Sequence, residues 1–157
     1  MKLFEISKLS FIDNVKGAGA TPQNQDVDYF GLRVKMKPSA FLHLALPISD
    51  ADATSADGLK HYIKSGGKIG SPFFTIIIPN EWHDGDFEKP AKIRDHEGRN
   101  RMKAVHALYG DVDVEVHFFF TNGIRAKNIT DEWVSEMKKG IISEYGTYVS
   151  GQHFETF

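Results

Sequence analysis

Residues Ala91 to Ala104, AKIRDHEGRNRMKA, constrain the fold more than any other stretch of the chain. Ala91 to Arg94 alternates as a short strand does, and Asp95-His96-Glu97-Gly98 is a polar run ending on a glycine, where that strand should break. Arg99 to Tyr109 then reads as a helix, with Met102, Val105 and Tyr109 on one face and Ala104 and Leu108 beside them. A strand, a glycine turn and a helix whose first turn holds two arginines make a candidate anion site. The first backbone N–H groups and the positive dipole end of the helix point toward the turn, and Arg99 or Arg101 adds a charged fork.

The remaining apolar runs supply the sheet and helices such a unit needs. Tyr29 to Met36 places Phe30, Leu32, Val34 and Met36 on one face of a strand. Pro38 suits the first position of a helix, which Ala40 to Leu46 continues for one or two turns. Ser49 to Asp57 reads as an Ala/Asp/Ser linker, with Ser55 or Asp57 capping a short helix Gly58 to Lys64 that stops at Gly66-Gly67. Phe73 to Ile78 is apolar on both faces and predicts a central strand; Asp113 to Phe120 predicts a second buried one.

Thr130 or Asp131 caps a helix with the apolar stripe Trp133, Val134 and Met137, closed at Lys138-Lys139-Gly140. Ile141 to Phe157 reads as an irregular or hairpin-like tail, Met1 to Ile12 as an edge strand or docked segment, and Lys16 to Asp26 as a loop. His83-Asp84-Gly85-Asp86 offers oxygens to a hard cation but lacks EF-hand spacing, so a solvated turn is expected there. The expected fold is α+β: one domain over residues 1–157, with a core at about 29–120, an N-terminal loop and a C-terminal helical extension.

At 157 residues, 41% hydrophobic and 25% charged, the chain can bury a core without disulfide or metal staples. It has no cysteine, which excludes thiolate chemistry and cysteine-ligated zinc. The formal charge of −2 gives no global footprint for nucleic acid. No segment approaches the ~20 apolar residues of a membrane span, and nothing at the start reads as a signal peptide. A cytoplasmic, non-membrane protein is the expectation.

Gly98-Arg99-Asn100-Arg101-Met102-Lys103-Ala104 resembles the G-x-x-R-x-x-A box of the ParB/sulfiredoxin-like superfamily. Leu59 to Gly67 followed by Ser71 to Ile76 is similar to that superfamily's helix, glycine turn, proline and strand, and Leu108-Tyr109-Gly110 with Val112 to Phe118 to its closing strand. The resemblance spans roughly residues 55 to 120 and implies a ParB/sulfiredoxin-like mixed sheet with packed helices. It also implies a nucleoside triphosphate bound by Gly98, Arg99, Asn100 and Arg101. Branches of the superfamily hydrolyse CTP, transfer phosphoryl groups, repair sulfinic acids or cleave DNA, so the fold leaves the reaction open. Arg99 stands where sulfiredoxins carry their reactive cysteine, and no helix-turn-helix domain follows as in chromosome-partitioning ParB proteins. Short single-domain relatives of this kind look like phage and mobile-element proteins, which makes a host cytoplasm the expected setting.

On this reading Arg101 holds a phosphate by charge-assisted hydrogen bonds, and a side chain at Gly98 would block close approach of the backbone to it. Removing Arg101 should then weaken binding while changing fold stability little. Glu97 is a candidate base and His96 a candidate acid or base, with magnesium bridging Glu97 or Asp95 to the phosphates. The expected function is phosphoryl transfer or phosphate-ester hydrolysis. The alternatives are a non-catalytic module binding a nucleotide or partner protein, and a nuclease, against which the neutral charge balance counts.

Overall fold

The computed structural model describes residues 12–13, 29–45, 52–120 and 128–154 of the chain. The expected segments Met1 to Ile12 (except Ile12 itself) and Lys16 to Asp26 lie outside the described residues. In chain order the elements are β1 (Ile12–Asp13), β2 (Tyr29–Met36), α1 (Pro38–Leu44), α2 (Asp52–Lys64), β3 (Ile69–Gly70), β4 (Phe73–Ile77), a 3-10 turn (Asn80–Asp84), β5 (Lys92–Glu97), α3 (Arg99–Tyr109) and β6 (Val114–Phe120). They are followed by α4 (Asp131–Met137), a π-helical turn (Lys138–Ile142), α5 (Ser143–Tyr145) and β7 (Gly146–Phe154).

The fold is α+β, with a mixed five-stranded sheet in the order β5-β4-β6-β2-β7. Only the β4–β6 pair in it is parallel, because the chain leaves β4, turns back along β5 and crosses over through α3 before entering β6. β1 and β3 form a separate two-stranded parallel pair. β4 is hydrogen-bonded on both sides, as its apolar sequence predicts.

Alternation sorts the strand residues into two faces. Leu32, Val34 and Met36 of β2 sit opposite Phe118, Val116 and Val114 of β6, and Phe74 of β4 sits opposite Phe118. This face carries the main core. Phe41 from α1 stacks on Phe74 at 4.6 Å between centroids, and Met102, Ala104 and Val105 of α3 are buried in the same cluster. α1 and α2 both pack on α3. The α4 helix is capped by Thr130, whose Oγ1 accepts the Trp133 N–H at 3.1 Å. Its Trp133 indole N–H donates to the Trp82 carbonyl, so the tryptophan stripe is core with its polar atom satisfied.

Three boundaries differ from the sequence expectation, each for a physical reason. α2 begins at Asp52, not Gly58, so Ser55 and Asp57 lie inside it; its alanines favour helix, and Asp57 pairs with Lys60 at 2.9 Å. β5 continues through Glu97, so Asp95, His96 and Glu97 are strand residues and the turn is Gly98 alone. An edge strand tolerates such polar residues because one side faces solvent. The α4 helix closes as expected over Lys138-Lys139-Gly140, where the backbone at Gly140 leaves helical geometry (φ −89°, ψ −114°). The C-terminal stretch is not an irregular or hairpin tail: β7 is a nine-residue strand on β2. The glycines that suggested a loop stand where neighbours press close. A Cβ at Gly146 would lie 2.6 Å from the Lys35 carbonyl oxygen, and one at Gly151 would lie 2.5 Å from the Phe30 ring.

Candidate functional site

The site builds from the junction of β5 and α3. Gly98 sits between them at φ +104°, ψ 17°, a left-handed conformation that ends the strand and starts the helix in one residue. α3 is eleven residues long and has no side-chain cap, so its first N–H groups face the turn without one. Packing also requires glycine at this position. A Cβ there would lie 2.7 Å from Pro72 Cβ and 2.9 Å from Pro72 Cα, so that side of the turn is filled by protein. Pro72 is fixed in turn by its carbonyl, which accepts the His117 N–H at 3.0 Å.

Arg101, in the first turn of α3, is 8% exposed. Its Nη1 donates to the Gly70 carbonyl at 2.8 Å, tying α3 to the end of β3, and its Nη2 lies 3.7 Å from Glu97 Oε1. Burial pulls the guanidinium's pKa down from its ordinary value and the Glu97 carboxylate offsets part of that, but an arginine stays charged. Arg101 is therefore not a surface residue: contrary to the sequence expectation, its removal touches the fold as well as any ligand. A desolvated positive charge lies under the turn, matched by one carbonyl and one distant, largely exposed carboxylate.

Of the other expected residues, Asn100 is half-buried, and its Oδ1 is buried with no hydrogen-bond partner among the described residues. Arg99 is half-buried, with Nη1 3.5 Å from the Ala45 carbonyl, which leaves its guanidinium loosely held beside the turn. Glu97 is the last residue of β5, and its side chain is 60% exposed. The structure does not bring His96 and Glu97 together as a pair. His96 aligns with Phe74 on the helix-covered face, whereas Glu97 aligns with Phe73 on the other. The Asp95 carboxylate accepts the His96 backbone N–H at 2.8 Å and is not aimed at Arg101. Among the described residues no cluster of three or more His, Asp or Glu side chains is arranged to hold a metal ion.

A second polar cluster escaped the sequence reading. On the face of the sheet opposite the main core, Arg33 Nη2 donates to Glu115 Oε1 at 2.6 Å and His117 Nε2 lies 2.7 Å from Glu115 Oε2. Burial pushes the Glu115 carboxyl up, but the hydrogen bonds from His117 and Arg33 outweigh it and bring its pKa from 4.5 down to about 2. With the folded value below the ordinary one, the ionised carboxylate stabilises the fold. That contribution is complete above about pH 4.5 and is lost as pH falls toward 2. Glu115→Gln is expected to flatten this stretch of the acid-unfolding profile followed by circular dichroism; a profile unchanged by the substitution would show that the cluster does not support the fold. The signal was present as alternate charged residues on two strands, but only the β2–β6 pairing turns it into a contact.

No protein-family model matches the chain, and no curated protein or solved structure matches it. No described helix is long and apolar enough to cross a membrane.

Proposed function

We propose that this protein binds a phosphate ester, a nucleoside triphosphate being the class, at the β5–Gly98–α3 turn, and acts on it by phosphoryl transfer or hydrolysis. The observation that carries this reading is the buried Arg101 guanidinium under a helix N-terminus that no described side chain caps. A buried cation paired only with an exposed carboxylate 3.7 Å away is costly, and a phosphate at the turn would add closer negative charge while accepting the first N–H groups of α3. The loosely held Arg99 guanidinium, in the first turn of the same helix, is a second cation for such a ligand. The resemblance of Gly98 to Ala104 to the ParB/sulfiredoxin-like box supports the choice of a nucleotide over a simple anion.

Glu97 is the candidate for the chemistry, a role its exposure at the turn and its 3.7 Å contact with Arg101 support. Were it to orient water or a hydroxyl, or take a magnesium ion together with the phosphates, Glu97→Gln should leave nucleotide affinity within a few-fold. Turnover should fall by ~10²–10⁴-fold. Thermal-shift measurements with CTP, ATP and GTP, with and without magnesium, followed by phosphate-release assays on both proteins, test this. The second reading, a non-catalytic nucleotide-binding module, is favoured by one observation: His96 and Glu97 occupy opposite faces of β5. It takes over if the wild type binds a nucleotide and turns over none under any metal condition. DNA cleavage is disfavoured by the net charge of −2, since tracking a backbone takes clustered lysines and arginines.

A further inference from the structure

We infer that Tyr62 is the platform on which the base of the bound nucleotide stacks, and this rests on the phosphate-ester reading above. Tyr62 lies in the last turn of α2 and is 51% exposed, the one aromatic ring among the exposed large hydrophobic residues described. Its orientation is fixed by the glycine turn that ends the helix. The Gly66 N–H donates to the Ile63 carbonyl at 3.0 Å and the Gly67 N–H to the Tyr62 carbonyl at 2.9 Å, with Gly66 at φ +93°. This is a paired C-terminal cap that folds the chain back over the helix end.

Gly67 then meets the ring. A Cβ built on it would lie 2.5, 2.5 and 2.6 Å from Tyr62 Cε2, Cζ and Cδ2. Near-equal distances to three consecutive atoms of a six-membered ring put Gly67 over the ring's face, not at its edge. One face of the tyrosine is therefore laid on backbone, and the ring's exposure leaves the other face open to stack a planar ligand. Such a preset ring loses little conformational freedom when a base stacks on it.

The same loop reaches the anion site. Three residues after Gly67, the Gly70 carbonyl accepts Arg101 Nη1, and Pro72 packs against the position where a Gly98 Cβ would stand. A three-residue stretch spans at most about 11 Å, so the backbone under the ring and the carbonyl that holds the Arg101 guanidinium are separated by a length that one nucleotide can cover. Lys68 is exposed in the same stretch, between Gly67 and Gly70.

Titration calorimetry of wild type, Tyr62→Ala and Tyr62→Phe with ATP, CTP and base-free tripolyphosphate tests the assignment. Base–aromatic stacking predicts that Tyr62→Ala weakens nucleotide binding roughly 5- to 150-fold, while Tyr62→Phe retains wild-type affinity. Tripolyphosphate should bind all three proteins within about twofold of one another. Equal losses for nucleotide and tripolyphosphate, or no loss for either, would overturn the platform. So would a wild type that binds tripolyphosphate as tightly as nucleotides, which would leave the anion site standing. A wild type that binds none of these ligands removes the anion site itself, and the platform with it. Melting curves of the free proteins confirm that each variant is folded.

Discussion

Gly98→Ala is expected to destabilise the fold by about 2–4 kcal/mol, a large share of the margin of a single domain. Two effects add. A side chain at φ +104° is held in a sparsely populated backbone region, and its Cβ would stand 2.7 and 2.9 Å from two Pro72 atoms, one of them backbone. Strain of the first kind costs roughly 1–3 kcal/mol and overpacking of the second a similar amount. Pro72 cannot retreat freely, because its carbonyl holds the His117 N–H of β6. Gly85→Ala separates the two effects. Gly85 is left-handed like Gly98 (φ 80°, ψ 15°), but nothing lies within 4 Å of its would-be Cβ, so only the backbone cost applies. Urea unfolding should show a shift in midpoint at unchanged slope, clearly larger for Gly98→Ala than for Gly85→Ala. Equal shifts would mean that Pro72 gives way and that the turn is looser than its contacts indicate.

The strand–glycine–helix unit was legible in the sequence because three local signals agree there: alternation, a lone glycine and helical spacing. The buried face of α3 was legible for the same reason, since Met102 and Val105 repeat at the period of the element that carries them. β7 was not, because Gly146 and Gly151 carry a turn's composition while their cause is non-local: the Lys35 carbonyl and the Phe30 ring, more than a hundred residues away, press on them. The Ala/Asp/Ser run before Gly58 misled in the opposite sense, as its polar residues suggested a cap and linker where alanine propensity and an ion pair continue the helix.

At the site, sequence named the residues near the turn but not their environments. Nothing local says that Arg101 is buried on the Gly70 carbonyl while Glu97, four residues earlier, is exposed. Whether a helical arginine faces solvent depends on which loop lies over the helix start, and that loop, Gly66 to Pro72, comes from thirty residues upstream. The Arg33–Glu115–His117 cluster was hidden for the same reason, since strand register is a property of the folded sheet and each of its members alone looks like an ordinary surface residue.

Arg101 is expected to matter to both stability and binding, and its two roles separate by choice of substitution. Arg101→Ala removes the donor to the buried Gly70 carbonyl and opens a space beneath the turn, so a loss of about 2–4 kcal/mol of stability is expected. The same change removes the cation under the phosphate, on the order of 2–3 kcal/mol of binding, roughly 30- to 150-fold in affinity. Arg101→Met fills most of the volume and takes away the desolvated charge, so its stability should lie within about 2 kcal/mol of wild type. Its nucleotide affinity should nevertheless fall as far as that of the alanine variant. Arg101→Lys keeps a charge but not the planar fork that spans the Gly70 carbonyl and a ligand at once, so partial recovery is expected in both measurements. Calorimetric titration with CTP, ATP and GTP, paired with urea unfolding of the same four proteins, reads the two effects independently. A methionine variant that binds nucleotides like wild type would make Arg101 a clamp between α3 and β3 alone, and the phosphate would have to be held elsewhere.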